Sequence, residues 1–147
     1  MTILENKTIV RRWVDEVLNK HDLSVLGSLV MPDVVNHAVL VAELRYGFEN
    51  FKRAIGALLV AFPDHHMEIE DMGAEEDKVW YRGTRSGTHL GPGPLPGIKP
   101  SGKYVAVQHI HILRLENGKI ADHWAIRDDL GFLQQIGLFP APGQRSS

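Results

Sequence analysis

Between His109 and Gly131 the chain carries His109, His111, His123, Arg127, Asp128 and Asp129 inside two apolar runs. Apolar runs of this kind line a core, where a polar side chain is expensive unless it is paired or used. His109 and His111 are two residues apart on a predicted strand and therefore face the same side. Two neutral imidazoles so placed suit the binding of a carbonyl or enolate oxygen. A histidine-lined contact between subunits is the structural alternative, and Gln108 takes their place if the opposite face lines the interior. His123, on the next strand, offers a third imidazole to a metal. No positioned carboxylate completes an open coordination site, so no metal is expected.

These residues need elements to position them. Asn117-Gly118 is the favoured two-residue hairpin turn, so the two runs pair antiparallel. The helical pattern Leu130–Ile136 follows directly and places Asp128 at the end of the last strand, at the mouth of any pocket. Upstream, Thr2 and Glu5 have capping-box spacing. Ile9, Val10, Trp13, Val14, Val17 and Leu18 then recur with helical period. A short second helix carries Leu23, Leu26, Leu29 and Val30 and stops before Pro32. Residues 33–39 read as a short strand or extended segment, and a third helix runs from about Phe48 to Phe62. After Pro63 the period changes to two, with strands over His66–Met72, Val79–His89, Tyr104–Leu115 and Ile120–Arg127. Leu90–Gly102, rich in Gly and Pro, is a loop that suits a pocket rim or a surface flap. The chain reads as one α+β domain over residues 1–139, with 140–147 as a flexible tail. Three N-terminal helices pack on a curved, mainly antiparallel sheet, bent near Gly83 and Gly87 and closing a conical cavity.

Composition narrows the function. The 147 residues are 44% hydrophobic, carry a net charge of −2 and contain no cysteine. Without a basic run, neither nucleic acid nor an anionic membrane is a favoured partner. Without cysteine there is no thiol nucleophile, thiolate site or disulfide framework. No basic leader or membrane-length apolar run is visible, so a cytoplasmic setting is the default expectation.

Several segments in order resemble the SnoaL-like polyketide cyclases of the ketosteroid isomerase and nuclear transport factor superfamily. They are Glu5–Arg11, Pro32–His37, Ala61–Asp64, Gly87–His89, Ile112–Arg114 and, most specific, Gly118-Lys-Ile120 with Trp124, Asp128 and Leu130–Gly137. The resemblance spans roughly Glu5 to Leu138. It implies a compact α+β cone (a cystatin-like α+β barrel) that is commonly oligomeric and needs no cofactor. The activity it implies is ring closure of a bulky hydrophobic polyketide by intramolecular aldol condensation, with an aspartate as general acid/base. Asp128 occupies the matching position. Trp124 and Ile126 share its strand face and would supply the apolar surroundings that raise its pKa, while Asp129 would cap the following helix; the reverse, with Asp128 as the cap, is the structural alternative. The Gly91–Pro100 loop and the pair His109/His111 depart from the family pattern.

Asn36 and His37 follow the second helix, where a family polar residue often reaches the cavity; Asn36 suits a donor to a substrate carbonyl or a turn residue. Arg82 suits a carboxylate or phenolate partner, or an ordinary surface arginine. His89 is a rim candidate, Trp124 a substrate contact, Trp13 a core residue and His65-His66 an exposed turn. The expected partners are a small hydrophobic substrate and further copies of the chain, as a dimer or tetramer through the outer sheet face. A hydroxylase or isomerase on the same scaffold is the enzymatic alternative, and a non-catalytic binding or assembly module is the other.

Overall fold

A computed structural model describes residues 1–92 and 97–143. Helix α1 (Ile3–Arg12) starts at the expected capping box: Glu5 N–H donates to Thr2 Oγ1, and Thr2 N–H to Glu5 Oε2. It continues as a wider π-helical stretch over Trp13–Asn19. There Asn19 grips the Met67 backbone twice, donating to its carbonyl at 3.0 Å and accepting from its N–H at 2.7 Å. A 3-10 turn (Leu23–Val25), short helix α2 (Leu26–Leu29) and strand β1 (Val30–Asn36) follow. The strand thus starts two residues before Pro32 rather than after it. Its edge position tolerates a residue without an N–H.

A 3-10 turn (Ala42–Leu44) leads to helix α3 (Phe48–Ala61), then β2 (His66–Glu75), β3 (Lys78–Thr88), β4 (Tyr104–Glu116), β5 (Lys119–Arg127) and helix α4 (Asp129–Gln135). The sheet order is β1-β5-β4-β3-β2, parallel between β1 and β5 and antiparallel elsewhere. This is the expected α+β architecture. Asn117 and Gly118 both have positive φ, 50° and 78°, as the tight β4–β5 turn requires. The bend expected near Gly83 has a steric basis. A Cβ there would stand 2.6 Å from Met67 Sδ and 2.8 Å from the Glu68 carbonyl oxygen, and β2 slips register against β3 between Ile69 and Asp71.

The helices fill the concave face. Val10, Trp13, Val14 and Val17 from the first helix meet Phe51, Ile55 and Leu58 from α3 over Val79, Tyr81 and Leu113 of the sheet. The rings of Trp13 and Phe51 lie 5.5 Å apart. The expected tail falls partly outside the described residues, at 144–147, as does the centre of the Gly91–Pro100 loop, at 93–96. Among the described residues no helix is long and apolar enough to cross a membrane.

Candidate active site

Strand β4 alternates cleanly. Val105, Val107, His109, His111 and Leu113 point inward and are buried, while Gln108 and Ile110 are exposed on the outer face. His109 and His111 therefore face the interior, and Gln108 does not. On β5 a one-residue bulge decides the rest. Leu115 pairs with Ile120, but Arg114 pairs with Asp122, leaving Ala121 as the extra residue. A bulge of one residue exchanges the two faces of everything beyond it. His123 then stands opposite Leu113, Ala125 opposite His111 and Arg127 opposite His109.

The bulge moves Trp124, Ile126 and Asp128 to the outer side. Ile126 is exposed, and Trp124 stacks on His37 at 4.7 Å. Asp128 is exposed and caps α4, its Oδ1 accepting from Gly131 N–H at 2.8 Å. Asp129, expected as the cap, instead lines an internal space of about 30 Å³ with His109, Arg85, Arg127, Phe62, Phe132, Val105 and Val107. The placements expected for these two aspartates are exchanged.

Beside that space lies a cavity of about 300 Å³. Apolar side chains from Ala38–Val41, Leu44 and α3 line it, together with Pro92, Asn36, His111, His123, Arg85 and Arg127. Arg85 and Arg127 border both spaces. Pro92 makes the loop after β3 a wall of this cavity. Asn36 reaches it, as expected.

Four buried side chains form one hydrogen-bonded chain. Asn36 Oδ1 lies 3.0 Å from His123 Nδ1, His123 Nε2 lies 2.8 Å from His111 Nδ1, and His111 Nε2 lies 3.1 Å from His109 Nδ1. Asn36 Oδ1 also accepts from the Ala38 backbone N–H at 3.2 Å, which fixes that atom as the oxygen. His123 Nδ1 must therefore carry the hydrogen, and each following ring is forced into the same tautomer. The chain ends at His109 Nε2, a lone pair with no hydrogen-bond partner among the described residues. Both N–H groups expected to hold a substrate oxygen are consequently committed within the chain, so His109 presents an acceptor rather than a donor. Burial, then the charges of Arg85 and Arg127, push His109 down to about 2. Burial likewise brings His123 to about 3 and holds His111 well below the usual histidine range. All three are neutral at pH 7.

The remaining expected site residues lie elsewhere. Arg82 is on the outer face, its Nε 3.1 Å from Asp71 Oδ2. His37 pairs with Asp122 at 2.9 Å at the sheet margin. His89 is fully buried, with Nδ1 accepting from Ser101 N–H at 3.1 Å and its ring beside Phe62 and Phe132; it borders neither space. His65 is not an exposed turn residue: it is buried, and its Nδ1 donates to the Leu18 carbonyl at 2.9 Å. Among the described residues no group of three or more His, Cys, Asp or Glu is arranged to hold a metal.

Sequence reasoning missed Arg85 and Asp129 as residues that line these spaces, and His123 as part of the histidine chain. Arg85 shares strand parity with Val79 and Tyr81, a signal that was present. For Asp129 the deciding feature was the bulge, which leaves no sequence mark here.

The chain and its fold have recognisable relatives. Aklanonic acid methyl ester cyclase DauD from Streptomyces sp. (strain C5) is 32% identical over 139 residues, covering 91% of this chain and 83% of that one. TsrD from Streptomyces laurentii superposes with a TM-score of 0.82 at 27% identity, covering 95% of this chain and 99% of that one. AclR from Streptomyces galilaeus, for which a hydroxylase activity is suggested, superposes with a TM-score of 0.78 at 28% identity, covering 95% and 89%. The sequence model of the SnoaL-like polyketide cyclases matches residues 8–136. The chain belongs to the SnoaL-like polyketide cyclase family.

Proposed function

We propose that the protein is a cofactor-independent cyclase that closes a ring of an aromatic polyketide by intramolecular aldol chemistry. The observation that carries this reading is that Asp129 and His109 line one small space beside an apolar cavity of about 300 Å³. A cavity of that size is in the range that holds a small polycyclic ligand. Asp129 takes a proton from the carbon alpha to a carbonyl. The electron pair released forms the new carbon–carbon bond to a second carbonyl of the same molecule. The alkoxide so formed recovers the proton from the Asp129 carboxyl, so nothing is consumed. His109 accepts a hydrogen bond from a substrate hydroxyl and fixes the reacting end. The cavity walls confine both ends of the chain, which replaces an encounter by a rotation.

The aldol step is tested with a panel of methyl esters of polyketide acids that includes aklanonic acid methyl ester, the compound named for DauD. Wild-type protein should convert such a compound to a ring-closed isomer of unchanged mass, and Asp129→Asn should not. Absence of the isomer across the panel sinks the reading. The likeness to AclR favours hydroxylation as a second reading, and a product heavier by one oxygen would select it. We further propose a homodimer through the outer sheet face, where Trp80, Ile110 and Ile126 are exposed together. A cytoplasmic setting accompanies this reading as an expectation from sequence.

A further inference from the structure

Two guanidinium groups in an apolar enclosure need explanation. Arg85 lies on β3 opposite Val107, and Arg127 ends β5 opposite His109. Both border the two internal spaces. Arg127 has one acidic neighbour, Asp129, at 3.7 Å, and that carboxylate is 46% exposed. Arg85 has no ion-pair partner among the described residues, and its Nε is shut from solvent without a hydrogen bond. The undescribed residues 93–96, next to cavity-lining Pro92, read Gly-Pro-Leu-Pro and bring no acid. His109, His111 and His123 are neutral and supply no negative charge. Among the described residues the two spaces therefore hold two cations against one half-exposed carboxylate. A desolvated charge without a counter-charge is strongly unfavourable, and an anion placed between such groups gains more than it would in water.

We propose that Arg85 and Arg127 form an anion subsite in the cavity wall, so that the ligand carries a delocalised oxyanion on an otherwise apolar polycyclic body. A carboxylate and an ionised phenol conjugated to a carbonyl share this chemistry. Both are planar and present oxygen lone pairs to the guanidinium fork. Asp129 stays free for proton transfer, because the bound anion takes its place beside the guanidinium groups. The inference takes the cavity as the ligand site, as the cyclase reading does. Binding needs no turnover, so the two can fail separately: a protein that binds the anion and closes no ring overturns only the cyclase reading.

The experiment measures binding of three probes to the full chain by quenching of tryptophan fluorescence, confirmed by calorimetry. They are anthraquinone-2-carboxylate, its methyl ester, and 2-hydroxyanthraquinone below and above its own phenol ionisation. The carboxylate should bind about tenfold or more tightly than the ester, as expected for a charge-assisted contact worth at least one factor of ten. The hydroxy compound should tighten on ionising if a phenolate is also accepted; a carboxylate-only response narrows the subsite to that source. Arg85→Met should bring the carboxylate and ester to within about twofold of each other. Arg127→Met provides the second variant should Arg85→Met fail to fold, as judged by circular dichroism. Equal or tighter binding of the ester by wild type overturns the subsite. So does failure of every probe to bind, or an anion preference that survives both substitutions.

Discussion

Asn36 Oδ1 receives two donors at once, His123 Nδ1–H at 3.0 Å and the Ala38 backbone N–H at 3.2 Å. Only an oxygen satisfies both, so one amide on the parallel edge strand sets the tautomers of three imidazoles on the two neighbouring strands. Its influence ends at His109, whose open nitrogen is an acceptor because the far end of the chain is anchored by a backbone N–H. Local backbone geometry at β1 thus decides what chemistry is presented beside Asp129.

Two substitutions at Asn36 separate packing from polarity. Asn36→Leu leaves both donors buried without an acceptor, at a cost of about 1–3 kcal/mol for each group. Thermal unfolding should register that loss. Asn36→Asp keeps the acceptor and adds a negative charge, which favours the imidazolium form of His123. Its pKa, about 3 in the native protein, should rise in an NMR titration. Unchanged melting of Asn36→Leu would show the shared acceptor to be dispensable.

Asp128 and Asp129 should behave oppositely in the cyclase assay. Asp129→Asn removes the proposed proton acceptor while keeping shape, so turnover should fall by roughly 10²–10⁴-fold. Asp128→Asn should turn over at nearly the native rate, because Asn also caps a helix well. Asp128→Ala should cost about 1 kcal/mol of stability. A dead Asp128→Asn beside a fully active Asp129→Asn would restore the assignment that the family spacing implies.

The same pair shows what was legible in the chain. Capping box, hairpin turn and α+β order follow from local patterns in the sequence, whereas periodicity leaves open whether His109 and His111 or Gln108 face inward, and the place of Asn36 rests on the family resemblance. Strand parity beyond Ala121 follows from neither. With an unbroken ladder from Asn117-Gly118, Trp124, Ile126 and Asp128 would share a face with His109 and His111. One extra residue at the bulge puts His123 and Arg127 there instead, and Asp129, at the start of α4, lines the space next to His109. Nothing local marks the extra residue, because alanine fits either face. Arg82 needs no such account: it alternates with buried Val79 and Tyr81, shares the outer face of β3 with Trp80, and is the surface arginine of the two readings, paired with Asp71.

The outer sheet face should bury itself against a second copy. Ile110 and Ile126 are directly paired across β4 and β5, and Ile126 is 77% exposed. Exposed isoleucines side by side on a sheet are a typical interface core. Light scattering should give twice the 16.5 kDa chain mass. Ile126→Glu places a charge at the centre of that face and should return the monomer with unchanged circular dichroism. A monomeric wild type at micromolar concentration counts against this surface.

Acid should unfold the protein earlier than carboxylate titration would. Four buried imidazoles are held neutral: His109 down to about 2, His123 and His65 to about 3, and His111 well below its usual value, in each case chiefly through burial. In the unfolded chain each titrates near ~6.5. Above that pH both states are neutral and these groups contribute no pH dependence. Below it the unfolded chain takes up protons that the native state refuses, so stability falls as pH falls, and the loss accumulates toward the folded values near ~3. Each histidine shifts the folding equilibrium by about tenfold per pH unit within that window. Urea unfolding between pH ~6 and ~5, above most carboxylate titration, should therefore show more than one proton bound on unfolding. A stability that stays level from pH ~7 to ~5 would mean that the imidazoles charge within the fold. In that case the neutral chain from Asn36 to His109 is not the native arrangement.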